Sequence, residues 1–310
     1  MTKPLTKQLC FLKSPLNYIG GKYKILSQIL PLFPSKSDIF LDLFCGGCNV
    51  AINVNSKLNN TSKLPQADKI ICNDNLIYLI DFYQFLQKEN TESILEQIHL
   101  TIKQYDLTLQ NIQGYNALKV DYNHNKSPLL LFVLIAFSFN HQIRFNNAHH
   151  FNTPFGKNRS SFNEKMKNNL IAFSKALKTK NISFLKLDFL EALKAVKLTQ
   201  NSFVYADPPY LITQGVYNDG KRGFSGWNKV LESSLLNALN ILDSKGIKFA
   251  LSNVLYHKGK EHTILQNWLK QSPHLYTHYV NFSYKNCNYQ SKRADSQEVL
   301  ITNYNPLKVM

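Results

Sequence analysis

The sequence predicts an α/β protein with a doubly wound, mostly parallel sheet that is interrupted by a large insert. An acidic side chain lies at or just beyond the carboxyl end of several apolar segments, the pattern of a parallel sheet that binds ligand at its strand ends. A glycine pair, Gly46 and Gly47, follows the first of these segments. The apolar segments that predict buried strands are residues 39–43, 69–73, 182–187, 202–206, 249–253 and 298–303.

The most informative motif is Asp207-Pro208-Pro209-Tyr210, directly after the strand predicted at residues 202–206. The prolines restrict the backbone, so a carboxylate, a main-chain carbonyl and an aromatic ring are held together at a strand end. Asp207 and the Pro208 carbonyl can then accept both N–H hydrogens of a nucleobase amine, while Tyr210 stacks on a base that has left the duplex. The alternative is that the tetrad only turns the chain.

The first predicted strand carries Asp42 and runs through Gly46 and Gly47 into a segment expected to be helical from Val50. Glycines at this point let a ligand approach the backbone closely. The loop is neither a Gly-x-Gly-x-x-Gly fingerprint nor a Walker-type loop. Asp74 ends the next strand, where an acidic side chain is placed to accept ribose hydroxyls; a solvated strand end or a helix cap is the alternative.

Together these motifs resemble the DNA adenine-N6 methyltransferases of the Dam-like class, in the order of that family and over most of the chain. The resemblance implies a seven-stranded, Rossmann-like methyltransferase sheet, the cofactor S-adenosyl-L-methionine, and catalytic roles for Asp207, Pro208 and Tyr210. Cys48 stands where many relatives carry a third glycine. The cofactor contacts that the resemblance implies are Tyr18 and Lys22 near the start, Asp42, Phe44 and Gly46 in the glycine loop, Asp74 at the ribose, and Asp188 and Phe189 at the adenine ring.

Roughly a hundred residues separate the ribose position from the adenine position, far more than an ordinary connection. Helical periodicity at residues 77–86 and 94–100, and an apolar run at 129–137, predict a mainly helical structure there. We therefore expect a catalytic domain formed by residues 1–77 and 181–310, and a DNA-recognition insert at residues 78–180.

Residues 139–157 have the pattern of a polar hairpin with aromatic residues, a ribbon that fits the major groove of DNA. Arg144 suits a bidentate contact with guanine, and Gln142 suits an adenine edge. Phe139 suits the gap left by a flipped base, and Lys157 suits a phosphate. Each polar residue alone also fits a solvated hairpin face. The resemblance to the target-recognition hairpin of the family adds Asn140, Asn146 and Pro154.

The expected activity is methylation of a flipped adenine in a short palindromic duplex site, within a restriction-modification system; the sequence leaves open whether a separate restriction endonuclease is its partner. His141-Gln142 departs from the Gly-Leu pair usual in relatives that modify GATC, so another A-T-centred palindrome such as CATG is expected. Cytosine-N4 methylation, a structured RNA substrate and a catalytically silent DNA-binding relative remain open.

The charge balance favours a polyanionic partner, double-stranded DNA, because Lys and Arg number 36 against 20 Asp and Glu, a formal net charge of +16. A Lys- and Asn-rich composition typical of an AT-rich genome explains part of this excess. The basic stretches at residues 157–159 and 221–222 are too short for a tail, so the charge is expected to line a face.

Five cysteines without a signal-like start predict a reduced interior, the bacterial cytoplasm at the nucleoid. Cys45 and Cys48 have no second pair, so no metal is expected. None of the five cysteines, including Cys10 and Cys287, follows a proline, which disfavours methylation at cytosine C5. No apolar run reaches the length of a membrane span, and a monomer or weak dimer is expected.

Overall fold

The computed structural model describes residues 11–56, 64–213, 226–280 and 296–306, so the basic pair at 221–222, Cys10 and Cys287 lie outside the described part. The described strands are β1 (Lys36–Asp42), β2 (Asn55–Ser56), β3 (Gln66–Asn73), β4 (Ile182–Leu185), β5 (Phe203–Ala206), β6 (Lys248–His257), β7 (Lys260–Glu261), β8 (Tyr276–Val280) and β9 (Ser296–Thr302). The described α-helices are α1 (Leu26–Ile29), α2 (Ile77–Lys88), α3 (Thr91–Gln104), α4 (Ile112–Asn125), α5 (Pro128–Phe137), α6 (Glu164–Thr179), α7 (Phe189–Ala195), α8 (Lys229–Ser244) and α9 (Thr263–Gln271).

All the described strands belong to one sheet with the order β2-β3-β1-β5-β6-β9-β8, in which β4 also pairs with β3 and β7 with β6. The strands β4, β3, β1, β5 and β6 run parallel, whereas β9 is antiparallel to both β6 and β8. The six apolar segments are thus confirmed as strands of one mixed α/β fold. Against the seven strands expected, the sheet has nine in the described ranges, because β2 and β7 add two residues each.

Two hydrophobic clusters cover the two faces of the sheet. Successive residues of a strand point to opposite faces, so Phe40 joins one cluster and Leu41 the other. Phe203 and Val204 of β5 divide in the same way. Burial on both faces explains why these strands are continuously apolar in sequence.

The helices predicted at residues 77–86, 94–100 and 129–137 are confirmed as α2, α3 and α5. The helices α2 to α6 contribute to the same cluster as one face of the sheet. Tyr83 of α2 stacks on Phe184 of β4 with ring centroids 5.6 Å apart. The helical block therefore shares one continuous core with the sheet. In the described part of the chain, no helix is both long and apolar enough to cross a membrane.

The prediction of a helix from Val50 is wrong, since residues 51–56 form a single 3-10 turn, Ala51–Asn53, and the strand β2 instead. The Asn53 side chain donates to the carbonyls of Leu12 and Asn49, each at 2.8 Å, and accepts from the Leu12 N–H. A side chain that bonds to nearby backbone competes with helix propagation. The ammonium of Lys180 also donates to the Ile52 carbonyl at 2.8 Å, so the turn is satisfied without a longer helix.

Candidate active site

A cavity of about 510 Å³ opens at the carboxyl ends of β1, β3 and β5. Its volume is in the range typical of sites for small organic ligands. Two expected site residues lie beside it rather than on its wall: Asp188 caps α7 by accepting the Leu190 N–H, and Phe189 is buried against Phe44. The expected site residues that line the cavity are Tyr18, Lys22, Asp42, Phe44, Gly46, Asp74, Asp207, Pro208 and Tyr210.

Asn73, at the end of β3, fixes the frame of this cavity. Its side-chain amide donates to the carbonyls of Leu43 and Leu187, at 3.2 and 3.0 Å, and accepts from the Leu187 N–H. Its own carbonyl accepts from the Cys45 N–H at 2.8 Å. The loops that follow β1, β3 and β4 are therefore held together by one side chain, which keeps the ligand-facing groups rigid.

The ring of Tyr18 lies on the glycine pair. A Cβ atom at Gly46 would come within 2.8 Å of Tyr18 Cε1, and one at Gly47 within 2.9 Å of Tyr18 Cβ. Gly46 also has a positive φ of 46°, a conformation that glycine adopts without strain. Both glycines are thus required by close approach to a tyrosine from a distant segment. Cys48 takes a left-handed φ of 55° in the same loop, a conformation that favours glycine.

Asp74 clamps the glycine loop from the end of β3. Its Oδ2 accepts the Gly46 N–H and its Oδ1 accepts the Leu76 N–H, both at 2.9 Å. The hydroxyl of Tyr83, from α2, donates to the Gly46 carbonyl at 2.7 Å. Burial raises the pKa of Asp74, and the two backbone hydrogen bonds oppose this shift. Asp74 is therefore a buried cavity residue rather than a solvated strand end.

Asp42 is the most deeply buried carboxylate of the cavity, at 1% exposure. Its Oδ1 has no hydrogen-bond partner among the described residues. Burial, followed by the neighbouring charges of Cys48, Asp207 and Asp74, raises its pKa well above the usual range. Such a group is stabilised by a ligand that brings a positive charge or an N–H donor.

Lys22 joins the amino-terminal segment to the Asp-Pro-Pro-Tyr tetrad. Its ammonium nitrogen lies 2.8 Å from Oδ1 of Asp207, donates to the Gly20 carbonyl at 2.9 Å and sits 4.9 Å from the centre of the Tyr210 ring. Burial raises the pKa of Asp207, while the Lys22 charge and hydrogen bond lower it. A carboxylate has about four lone-pair sites, so Asp207 can accept a further N–H donor.

The expected hairpin is a ribbon with isolated antiparallel bridges, Ser138 with Phe155 and Phe145 with Phe151. Arg144 is braced within it: Nε donates to Asn152 Oδ1 and one terminal nitrogen donates to the Asn152 carbonyl, both at 2.8 Å. This fixes the guanidinium while leaving other N–H donors for a ligand.

The remaining expected DNA contacts have varied surroundings. The ring of Phe139 is 39% exposed and lies 4.8 Å from the Arg159 guanidinium. The Asn140 carbonyl accepts from the Asn17 side chain at 3.1 Å, which places this end of the ribbon beside the Tyr18 segment. The Asn146 side chain accepts two backbone N–H groups of its own turn. Gln142 is half-buried, while Pro154 and Lys157 are exposed.

Comparison with known proteins decides the family. Residues 18–303 match the model of the D12 class N6 adenine-specific DNA methyltransferases. The chain belongs to this family. The resemblance drawn from the sequence motifs is confirmed at this level.

Among curated relatives, the chain is 47% identical to the Type II methyltransferase M.FokI of Planomicrobium okeanokoites, over 95% of this chain and 43% of that protein. It is 46% identical to Modification methylase StsI of Streptococcus sanguinis, with the same coverage. It is 26% identical to Type II methyltransferase M1.LlaDCHI of Lactococcus lactis subsp. cremoris, over 97% of this chain and 98% of that protein. The chain spans less than half the length of the first two relatives.

Some cavity residues of this D12 family member carry no motif in the sequence. Tyr205 lines the cavity from β5, and its hydroxyl is within 2.8 Å of Ser252 Oγ. Trp227 forms another part of the wall, with its ring 5.6 Å from that of Phe44. The one available signal was that Trp227 directly precedes Asn228, a good helix-capping residue.

The three buried cysteines near the glycine loop are Cys45, Cys48 and Cys72, and the sulfurs of the last two lie 3.7 Å apart. Hydrogen bonds from Cys45 and Cys72 lower the pKa of Cys48 to about 5, whereas burial raises that of its two neighbours. Within the described ranges, no group of three or more His, Cys, Asp or Glu side chains has the arrangement of a metal site.

Proposed function

We propose that this chain transfers a methyl group from S-adenosyl-L-methionine to N6 of an adenine flipped out of a short palindromic site in duplex DNA. The observation that carries the proposal is the Asp207–Lys22 pair at the wall of a cavity built from the family's motifs. The Asp207 carboxylate is half-buried, lies against the Lys22 ammonium and is followed by Pro208 and Tyr210, as amine recognition requires.

The cavity fits S-adenosyl-L-methionine by charge and shape. Asp42 offers an unpartnered buried oxygen, and the cavity volume of about 510 Å³ suits a nucleoside with an amino-acid tail. Asp74 and Gly46 would hold the ribose and the methionine moiety, with Tyr18 and Lys22 closing the other side. Phe44 lines the region beside Asp188 and Phe189, where the adenine ring is expected. When bound, this cofactor supplies an electrophilic methyl group carried on a sulfonium sulfur.

Catalysis then depends on how the chain holds the amine. The Asp207 carboxylate and the Pro208 carbonyl accept its two N–H hydrogens, which localises the nitrogen lone pair and directs it toward the methyl group. Tyr210 stacks on the base, and Lys22 keeps Asp207 in place. Transfer would break the bond between the methyl group and the sulfonium sulfur and leave S-adenosylhomocysteine as the other product. The methylated amine is acidic, so its extra proton passes to Asp207 or to water. Positioning does most of the work, and no strong general base is required.

Target recognition is assigned to residues 78–180 of the chain, with the ribbon at 139–157 reading the major groove. The Asn152 brace on Arg144 supports this, since a fixed guanidinium can make a bidentate contact with guanine. The seven longer strands supply the Rossmann-like methyltransferase sheet. The names of the relatives, a type II methyltransferase and a modification methylase, support a role in restriction-modification, for which we propose a separate endonuclease as partner. Bacterial duplex DNA as substrate would place the work in the cytoplasm at the nucleoid.

The test is product analysis. The purified chain is incubated with methyl-labelled S-adenosyl-L-methionine and duplex DNA, and the nucleosides are separated after digestion. We expect labelled N6-methyladenine; labelled N4-methylcytosine, preferred methylation of RNA, or no labelled base would each contradict the proposal.

An Asp207→Ala variant examines the assigned catalytic carboxylate. It should abolish transfer while DNA binding, measured by gel shift, stays largely intact, and the control is Asp121→Ala at an exposed carboxylate outside the cavity. Substantial transfer by Asp207→Ala would refute the assigned role.

A further inference from the structure

Trp227 is an aromatic wall of the cavity that none of the expected motifs contains. Its ring makes an edge contact with Phe44, at 5.6 Å between centroids, and a tilted contact with Phe189 at 5.7 Å. These two rings follow β1 and β4, whereas the Tyr210 ring is covered by the Lys22 ammonium. Trp227 therefore borders the part of the cavity next to Asp188 and Phe189.

A buried carboxylate holds this indole. Glu232 is fully buried, and its Oε2 accepts the Trp227 Nε1–H at 2.5 Å. Its Oε1 accepts from the Asn253 side chain at 2.9 Å and lies 3.1 Å from Nε2 of the equally buried His262. Nδ1 of His262 accepts the Leu265 N–H, so the ring proton is on Nε2 and faces Glu232.

The position of this pair in the chain explains the geometry. Asn228 caps α8, which makes Trp227 the residue before the cap and Glu232 a residue of the first turn. Residues at these two positions commonly meet through an apolar contact that fixes how the chain enters the helix. Here a hydrogen bond to a carboxylate replaces that contact, and the helix amino terminus stabilises the negative charge.

A buried carboxylate costs stability that an apolar pair would not, so its presence calls for another reason. A directed bond at Nε1, unlike an apolar contact, fixes the rotation of the indole plane. We propose that Glu232 is a positioning residue that orients Trp227 against the purine ring of the bound S-adenosyl nucleoside. This inference rests on the proposed function, because it specifies which residue contacts the cofactor's base.

The chain contains two tryptophans, which gives a direct optical test. Trp268 is a matched control: it is buried, its Nε1 also donates a hydrogen bond, to Asn240 at 2.7 Å, and it is absent from the cavity wall. Trp268→Phe leaves Trp227 as the single emitter, and Trp227→Phe leaves Trp268. Each protein is titrated with S-adenosylhomocysteine, and binding is measured in parallel by equilibrium dialysis of the labelled compound.

We expect saturating S-adenosylhomocysteine to quench or shift the emission of Trp268→Phe, with no change in Trp227→Phe at a concentration where dialysis shows binding. Trp227→Ala should weaken binding by about 5- to 150-fold, the range for an aromatic stacked on a base. Bound ligand with unchanged Trp227 emission would overturn this inference alone. Failure of the unaltered chain to bind S-adenosylhomocysteine would overturn the cofactor assignment as well.

Glu232→Gln tests the positioning role, because glutamine keeps the shape but presents N–H donors to partners that also donate. In the Trp268→Phe background, Glu232→Gln should make the anisotropy decay of Trp227 more heterogeneous, because the indole is no longer held in one orientation. It should also raise the KM for S-adenosyl-L-methionine several-fold, with kcat and the KM for DNA little changed. Glu261→Gln, at an exposed carboxylate, is the control. If kcat fell and both KM values rose to a similar extent, or if the anisotropy decay of Trp227 were unchanged, Glu232 would have only a structural role and the proposal would be overturned.

Discussion

The ammonium nitrogen of Lys22 lies 2.8 Å from Oδ1 of Asp207, and both side chains line the cavity, Lys22 buried and Asp207 half-buried. This pair links the segment expected to contact the cofactor with the tetrad expected to hold the target amine. Lys22 also donates to the Gly20 carbonyl, so its position is fixed from both sides. The charge of Asp207 depends on this pair, because burial raises the pKa of the carboxyl while the charge and hydrogen bond of Lys22 lower it.

We predict that Lys22→Met moves the acidic limb of the kcat/KM profile to higher pH. Activity needs the Asp207 carboxylate, so it is lost as the pH falls through the pKa of the folded protein. Removing Lys22 removes the charge and hydrogen bond that lower this pKa most and leaves burial opposed only by the Tyr210 hydrogen bond, so the loss begins at a higher pH. Initial rates across the acidic range measure the shift. Lys24→Met is the exposed control, and an unchanged limb in Lys22→Met would disprove the coupling.

The positions of three cavity carboxylates were accessible from the sequence, because each lies at or just after the end of an apolar strand and the carboxyl ends of parallel strands meet at one edge. Asp42, Asp74 and Asp207 were expected on this ground, and all three line the cavity. The Lys22–Asp207 contact was not accessible. Spacing along the chain carries no record of which distant side chains meet, so the amino-terminal motif could be assigned only to the cofactor.

Two further features escaped sequence analysis for physical reasons. The helix expected from Val50 is absent because Asn53 and Lys180 satisfy the local carbonyls instead, an arrangement that depends on tertiary contacts. Trp227 was missed because its role depends on Glu232, Asn253 and His262, which lie on separate elements. Apolar periodicity predicted the sheet and its helices; it could not predict a polar network inside the core.

Asp42 should make the folded protein less stable at high pH in the absence of ligand. Its pKa is raised in the folded state, so the protonated form is favoured there and stability falls as the pH rises through the folded pKa. Asp42→Asn removes the charge, so we predict a higher Tm than the unaltered chain at pH 8, with a difference that shrinks at acidic pH. Thermal unfolding without ligand measures this. Asp42→Asn should also weaken S-adenosylhomocysteine binding. Equal Tm values for the two proteins at pH 8 would contradict the predicted destabilisation by the Asp42 charge.

Arg144 and Asn152 should act as one unit in target recognition. We predict that Arg144→Ala costs ~1 to 3 kcal/mol of discrimination at a single guanine of the site, and that Asn152→Ala loses part of this at the same base because the guanidinium is no longer braced. The combined variant should lose less than the sum. Methylation rates on duplexes substituted one base at a time measure both effects.

The control for the Arg144 and Asn152 variants is Lys157, which is exposed on the same ribbon. As a phosphate contact, Lys157→Ala should weaken binding to all duplexes alike and reduce the salt dependence. If Arg144→Ala behaved in that uniform way, Arg144 would be a backbone contact and the assigned base contact would be wrong.

Tyr83 is expected to connect the helical block to the cofactor loop. Its hydroxyl donates to the Gly46 carbonyl, so Tyr83→Phe leaves a buried acceptor without its partner and should cost ~1 to 3 kcal/mol of unfolding free energy. Because the loop carbonyl is then free to rotate, binding of S-adenosylhomocysteine should also weaken. Denaturant unfolding and equilibrium dialysis measure the two effects separately.

Tyr115→Phe provides the matched control for Tyr83→Phe. Tyr115 is also fully buried, and its hydroxyl donates to the Thr153 carbonyl at 2.9 Å, away from the cavity wall. It should lose a similar amount of stability with no change in cofactor affinity. If both variants weakened S-adenosylhomocysteine binding equally, the effect would follow from general loosening of the shared core. If only Tyr83→Phe weakened the binding, the hydroxyl would be a specific support of the glycine loop, supplied by α2 of the proposed DNA-recognition insert.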